Sequence, residues 1–472
     1  MSPEDPTERQ ESYRDNLATA DKTGRRIWVF PVKPRGKLYR ARSILSIFLL
    51  AFLFGTPFVK VNGEQLLLFD LLGRKFVIFG LVFRPQDFHI FVLVSIASGV
   101  FVILFTAVFG RLFCGWICPQ TIFMEMVFRR IEYWIDGNAP RQKKLATQSW
   151  NEGKSLKRIL KHAIFFAISF LIGNTFLAYI VGLDNLIEIV TEPPSEHLGG
   201  LTAMILFSFV FYWIFVWFRE QVCTLVCPYG RLQSVLLDSN SIVVAYDRTR
   251  GEPRAPLGVG EKRPDHGHCI DCKACVRVCP TGIDIRNGTQ LECINCTACI
   301  DACNRVMDRV GFPRKLIRYA SENKLPSGKH KWFTGRVGIY SVVFAALVIL
   351  ISILTFGRAD VETTILRSPG QLYHEVEAGQ IRNLYTLKVV NKTGESMPIE
   401  LRLATPQGEI TIIGPEIVLD RYGIAESAFF VDIKRNSLYS PSSLVVIEVL
   451  SAGEVLETIR TSFMGPQDAG HR

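Results

Sequence analysis

The sequence predicts a membrane protein in three parts: a five-span α-helical transmembrane bundle, a compact cysteine-rich domain and a C-terminal all-β sandwich. Three observations predict it. Five stretches stay apolar over the ~20 residues an α-helix needs to cross a bilayer. Eight of the twelve cysteines fall between Cys269 and Cys303. After residue 358 the apolar residues take up the two-residue period of strands. The composition agrees, with 48% hydrophobic residues in a chain of 472 and a positive mean hydropathy.

The apolar stretches cover 41–61, 88–110, 160–182, 200–218 and 337–357, the first interrupted by Gly55 and Pro57. A buried helix of a soluble domain explains any one of them, but not all five. The polar segment before them lacks the short apolar core and small-residue cleavage site of a signal peptide, so the first stretch is expected in the mature protein.

The net charge of +10 does not point to nucleic acid, because the basic residues flank apolar segments. That is the pattern of an orientation signal. The N-terminal segment carries Arg25, Arg26, Lys33, Arg35, Lys37, Arg40 and Arg42. Arg111, Arg129, Arg130, Arg141, Lys143, Lys144, Lys154, Lys157 and Arg158 follow the second. Arg314, Lys315, Arg318, Lys324, Lys329, Lys331 and Arg336 precede the fifth. The loop between the third and fourth has Asp184, Glu188, Glu192 and Glu196 and no Lys or Arg; the 62–87 loop is mixed, with Arg74, Lys75 and Arg84. The consistent solution is a multi-pass membrane protein, N-terminus inside and C-terminus outside, which in a Gram-negative host means the bacterial inner membrane with the C-terminal part in the periplasm. The expected parts are a cytoplasmic segment 1–40, spans one to four over 41–236, a cytoplasmic cysteine-rich domain with linkers over 237–336, a fifth span 337–357 and a periplasmic β-domain 358–472. In the last part, strand-like runs at Asn383–Val390, Ile399–Leu403, Glu409–Ile413, Ser427–Ile433, Leu444–Leu450 and Leu456–Phe463 alternate with Gly, Pro, Asn and Ser, the pattern of a small sandwich.

Eight cysteines within 35 residues at two- and three-residue gaps make no sensible disulfide framework and read as metal thiolates in a reducing compartment. Cys269, Cys272, Cys275, Cys279 and Pro280 have the C-x2-C-x2-C-x3-C-P spacing. Cys293, Cys296, Cys299 and Cys303 repeat it, with Asn304 in place of the proline. In this spacing three thiolates wrap one [4Fe–4S] cubane and the fourth cysteine ligates the other cluster. The assignment is Cys269, Cys272, Cys275 and Cys303 to one cluster, and Cys293, Cys296, Cys299 and Cys279 to the second. Zinc also takes C-x2-C pairs, but as one set of four rather than two interleaved sets. Ile270, Ala274, Val276, Ile294, Ala298 and Ile300 are expected to shield the clusters.

The other four cysteines form two C-x3-C-P motifs, Cys114-Gly-Trp-Ile-Cys118-Pro119 and Cys223-Thr-Leu-Val-Cys227-Pro228. Both follow spans that run from outside to inside, so both lie at the cytoplasmic interface. On a helix the spacing sets two sulfurs on one face, one turn apart, and the proline tends to end the helix there. Four such thiolates suit Cu(I), zinc or an iron–sulfur cluster, giving a candidate copper or additional redox site; small buried residues at helix ends are the alternative. Arg111, Arg219 and Arg231 are expected to be interface anchors. His89 and His162 stand at opposite membrane sides and make no bis-histidine haem pair, and His266 and His268 read as solvated or second-sphere residues.

The five spans, the two C-x3-C-P motifs, the paired ferredoxin motifs and the C-terminal β-domain together resemble the CcoG/FixG/RdxA family of cytochrome c oxidase accessory proteins over nearly the whole chain. The resemblance implies an immunoglobulin-like periplasmic domain and a role in assembly of the cbb-type oxidase. It also implies reduction of Cu(II) to Cu(I), with oxidase assembly factors and copper carriers as partners beside an unidentified electron donor and the lipid bilayer. Two other readings are kept. One is a quinol-oxidising membrane ferredoxin subunit, against which the fifth span and the β-domain argue. The other is a non-enzymatic oxidase assembly scaffold.

Overall fold

The computed structural model describes residues 18–466 apart from 22, 62, 72, 194, 257–265, 322, 324–333, 358, 371, 377–378 and 439. Lys324, Lys329 and Lys331 of the orientation argument lie outside the described residues. Among those described, five helices are long and apolar enough to cross a membrane: Lys37–Phe58, Phe88–Phe109, Glu152–Val181, Leu198–Phe218 and Gly335–Phe356. They are the five stretches read from the sequence. The largest difference is at the third span, which starts eight residues early. Asn151 caps it by accepting a hydrogen bond from the Lys154 amide at 2.8 Å. Its 30 residues are about 45 Å long, so the polar first turns extend past a hydrocarbon layer of about 30 Å.

The chain forms two compact units. One comprises residues 1–59, 65–70 and 91–350. Its membrane helices meet on aromatic side chains: Phe128 is stacked on Phe215 at 4.3 Å between ring centroids and edge-on to Phe165 at 4.7 Å. The third and fourth spans approach closely at Gly173, where a Cβ would stand 2.8 Å from the Ser208 hydroxyl, small residues letting helices pack in lipid. Two segments that follow spans are wound as π-helix, Phe123–Phe128 and Val222–Val226, and the fourth span ends in a third, Ile214–Phe218. Such turns cluster at functional sites.

Between the fourth and fifth spans, strands Val243–Tyr246 and Ile317–Ala320 pair antiparallel. They bracket two cysteine loops, each running into a helix, Ala274–Arg277 and Ala298–Val310. The longer helix stops at Gly311 in the left-handed conformation, φ 75°, where glycine carries no Cβ penalty. Val244, Ile283, Ile285, Ile300, Met307 and Leu316 form the core around the cysteines.

The second unit comprises residues 60–64, 71–90 and 351–472. Its described residues form nine strands after the fifth span: β1 Val361–Arg367, β2 His374–Val376, β3 Gln380–Asn391, β4 Met397–Thr405, β5 Gly408–Ile413, β6 Ile417–Leu419, β7 Ile424–Lys434, β8 Ser442–Ser451 and β9 Glu454–Met464. One sheet has the order β5-β7-β3-β1 with β2 also on β3; the other has β6-β4-β8-β9. Alternate residues such as Ile381, Tyr385, Leu387, Val389, Phe429, Val431, Val445, Ile447 and Phe463 fill the space between them, the two-residue period of a sandwich. All six runs expected from the sequence fall inside strands. β2 and β6, three residues each, are too short to carry a periodic signal. Within the same unit Lys392 bridges Asp87 at 2.9 Å and Glu362 at 2.8 Å.

Candidate iron–sulfur and thiolate site

Each ferredoxin loop is shaped by the same backbone device. Asp271 and Lys273 flank Cys272 at φ 48° and 53°, and Asn295 and Thr297 flank Cys296 at φ 54° and 65°. Asp and Asn visit the left-handed region readily; Lys and the β-branched Thr do not. The repetition curls both loops around a small cavity. One cavity is lined by Cys269, Cys272, Cys275 and Cys303, the other by Cys279, Cys293, Cys296 and Cys299, with Cys275 on the wall between them. Backbone amides turn toward the sulfurs, from Asn295 to Cys293, Ala298 to Cys296 and Ile317 to Cys303. Such bonds favour the thiolate.

Burial opposes it. It pushes the thiols of Cys275, Cys293 and Cys303 up to about 12, and that of Cys296 to about 11. Four thiolates gather in such a place only around a cation, so the donor set fits an iron–sulfur cluster. No three His, Cys, Asp or Glu side chains among the described residues stand close enough to share one ion. A cubane has no such need, since each thiolate binds its own iron corner. The expected shield is present: Ile294, Ala298 and Ile300 are buried, and Ile270, Ala274 and Val276 half-buried.

The C-x3-C motifs depart from the single-helix expectation. Cys114 lies on the Leu112–Trp116 helix, but the chain breaks before Cys118, which is extended at ψ 123° and precedes the Pro119–Ile122 helix. Cys223 sits in the π-turn, and Cys227 is likewise extended, at ψ 112°, before the Pro228–Leu236 helix. The prolines dictate this, since a residue before proline is driven out of the helical region. The two motifs nonetheless converge. The field of Cys118 and Cys227 is felt at Cys114, and that of Cys118, Cys114 and Cys227 at Cys223. Burial pushes both the Cys114 and Cys223 thiols up to about 12. Cys114 donates to the Gln233 amide oxygen at 3.3 Å. Gly230 lets the second motif close, for a Cβ there would stand 2.6 Å from the Cys223 carbonyl oxygen.

This cysteine tetrad touches the second ferredoxin loop. A Cβ on Gly115 would lie 2.3 Å from the Ile294 carbonyl oxygen, so the Cys114–Cys118 turn and the Cys293–Cys296 loop meet backbone to backbone. Cys114 packs with Val278, Ile294, Cys296 and Ala298. The Trp116 indole donates to the Tyr319 hydroxyl at 3.0 Å, and Tyr319 donates to the Asn295 carbonyl at 3.0 Å.

Arg111 and Arg219 are not interface anchors: both are buried, while Arg231 is exposed. Arg219 has φ 51°, and its guanidinium grips Glu132 through two bonds of 2.7 Å. Burial pushes the Glu132 carboxyl up, but Arg219 outweighs it and holds the group down to about 2. Glu220 is shared by Arg26 at 2.8 Å and Arg129 at 3.5 Å, and Lys161 reaches Asp136 at 2.8 Å. This network lies beside Cys223 and the Cys279-Pro280-Thr281 turn. Sequence reading missed it, because Arg and Glu flanking a span look the same whether they face water or each other. His162 is bonded to the Tyr212 hydroxyl at 2.9 Å, His89 is exposed, and His268 stacks on Phe312 at 5.1 Å.

Three family models match the chain: a 4Fe–4S binding domain over residues 91–142, a 4Fe–4S dicluster domain over 218–322, and the IG-like fold at the C-terminal of FixG over 351–466. Protein RdxA of Cereibacter sphaeroides is 36% identical, covering 79% of this chain and 81% of its own. Protein RdxB of the same organism is 33% identical over 80% and 82%. Nitrogen fixation protein FixG of Rhizobium meliloti is 32% identical over 79% of each chain. With five candidate spans, paired ferredoxin motifs and a C-terminal β-sandwich, the chain belongs to the FixG/RdxA family of membrane-bound iron–sulfur electron-transfer proteins.

Proposed function

We propose that the protein passes single electrons from the cytoplasm through two [4Fe–4S] sites to the cysteine tetrad at the membrane edge, and that their use is reduction of Cu(II) to Cu(I) for assembly of a cbb-type oxidase. One observation carries this reading: the backbone contact of Gly115 with Ile294, which joins the tetrad to the second ferredoxin loop. When bound, each [4Fe–4S] cluster supplies one-electron transfer. Cys269, Cys272, Cys275 and Cys303 hold the first, and Cys293, Cys296, Cys299 and Cys279 the second. Cys272 is exposed and gives a soluble one-electron donor its approach. Cu(II) takes up one electron to become Cu(I), the form that soft thiolates favour. Cys114, Cys118, Cys223 and Cys227 either hold that Cu(I) or hold a further iron–sulfur centre that hands it the electron. The 4Fe–4S binding-domain model over residues 91–142, which spans Cys114 and Cys118, favours the further centre. The proposed orientation sets N-terminus and clusters in the cytoplasm and the β-sandwich in the periplasm.

The quinol-oxidising reading has one attraction, an apolar cavity of about 580 Å³ between the third and fourth spans with Glu192 and His197 on its wall. His197 precedes the fourth span and Cys223 follows it. The Leu198–Trp213 helix between them is alone about 24 Å long, which sets that polar end far from the cysteines.

The test is a variant with Cys114, Cys118, Cys223 and Cys227 all changed to Ser. Purified and reduced, it is expected to keep both ferredoxin EPR signals and to lose turnover of Cu(II) to Cu(I), read with a Cu(I)-specific chelator. Iron falling below wild type assigns the tetrad to a further cluster; unchanged iron with lost Cu(I) binding assigns it to copper. Undiminished copper reduction rejects the role of the tetrad.

A further inference from the structure

Five arginines among the described residues of the first unit are buried: Arg42, Arg111, Arg129, Arg219 and Arg286. Three have carboxylates, Arg129 with Glu125, Arg219 with Glu132, and Arg286 with Asp284 and Asp271. Arg42 and Arg111, 2% and 5% exposed, have no ion pair among the described residues. The Arg42 Nε and Nη2 and the Arg111 Nε are buried without a hydrogen-bond partner. A buried charge without a counter-charge is costly, so an anion is expected beside each.

Both belong to segments that pack on the second ferredoxin motif. The Arg111 guanidinium donates to the carbonyls of Leu291, two residues before Cys293, and of Gly230, three residues after Cys227. Arg42 lies one turn into the first span. The start of that span is held by Asp301, which accepts from the Tyr39 amide at 2.8 Å, and Asp301 belongs to the helix that follows Cys296. Arg111 thus ties the second ferredoxin loop to the turn that follows the Cys227 motif. The first ferredoxin site differs. Its buried cation Arg286 is matched by two carboxylates. Arg250, which reaches His268 beside Cys269 at 3.4 Å, is only half-buried and donates to the carbonyls of Pro313 and Arg314.

We infer that Arg42 and Arg111 are the fixed counter-charges of the second cluster and the tetrad, and that they raise the second cluster's reduction potential above the first's. A cluster gains one negative charge on reduction, and an unscreened cation beside it favours that state. Electrons taken up at Cys272 then run toward the membrane and not back. Arg42 and Arg111 are positioning residues of the field, and neither is a cluster ligand. The inference rests on the two-cluster reading proposed above.

The experiment is a potentiometric EPR titration of the full-length protein in detergent. Cys272→Ser identifies the first cluster's signal. In the wild type the second cluster is expected to reduce first as the potential falls; the opposite order overturns the inference whatever the variants do. Arg42→Gln and Arg111→Gln are each expected to lower the second cluster's reduced-to-oxidised ratio at least tenfold at fixed potential, a shift of 59 mV for one electron. The first cluster should not move, and Arg→Lys should restore most of the shift. Gln variants that keep full iron with both midpoints unmoved also overturn it. Fewer than two cluster signals in the wild type would instead refute the two-cluster reading on which it rests.

Discussion

Replacing Gly115 by Ala tests the join between the membrane and ferredoxin parts at one atom. The added methyl would stand 2.3 Å from the Ile294 carbonyl oxygen, 2.9 Å from the Asn295 carbonyl carbon and 3.0 Å from its oxygen. A carbon rests no nearer than about 3.3 Å to an oxygen, so the two loops must part by about 1 Å. All three obstacles are backbone atoms, which no rotamer change relieves. Overpacking of this kind costs about 1–3 kcal/mol, and the upper part of that range applies. For a unit of this size about 3 kcal/mol lowers Tm by roughly 4–5 °C. Scanning calorimetry in detergent reads the melting, and rapid-mixing spectroscopy reads electron transfer out of the second cluster, which the wider gap should slow. Gly99→Ala is the control, a mid-span position where the new Cβ meets nothing within 4 Å. If Gly115→Ala melts with the wild type and passes electrons as fast, the contact does not join the two parts and the reasoning fails.

Further outcomes follow from the same geometry. Cys279→Ser should lower iron by about four per chain, removing the signal of the cluster shared with Cys293, Cys296 and Cys299. Loss of the other signal would reverse the crossover assignment. Glu132→Gln removes the main partner of the buried Arg219 and should destabilise the first unit by about 3 kcal/mol at neutral pH, measured as a lowered Tm. The Glu132 carboxyl is held down to about 2. Its contribution is therefore present above the ordinary carboxylate range and is lost as pH falls toward about 2, and the gap between wild type and variant should close over that window. A gap independent of pH would show that charge plays no part.

Much was legible in the sequence because the signals are local. Span length, strand alternation and cysteine spacing each depend on residues a few positions apart, and the forces behind them, helix rise, pleat and cubane ligation, act at that range. The five spans, the strands β3, β4, β5, β7, β8 and β9 and the paired ferredoxin motifs were readable for that reason. A proline after Cys118 and Cys227 was equally visible, but its consequence was not, because whether a cysteine ends a helix or starts the next depends on what the backbone meets. Only the tertiary structure decided that residues 114–118 and 223–227 converge on residues 293–296. It also decided that Gly115 is a contact rather than a flexible point, and that the basic flank divides into three kinds. Arg231 faces outward, Arg219 and Arg129 have acids, and Arg42 and Arg111 have no ion pair among the described residues. The physical reason is that the worth of a charge is set by its surroundings. Those surroundings are assembled from segments up to 250 residues apart, which no local pattern encodes.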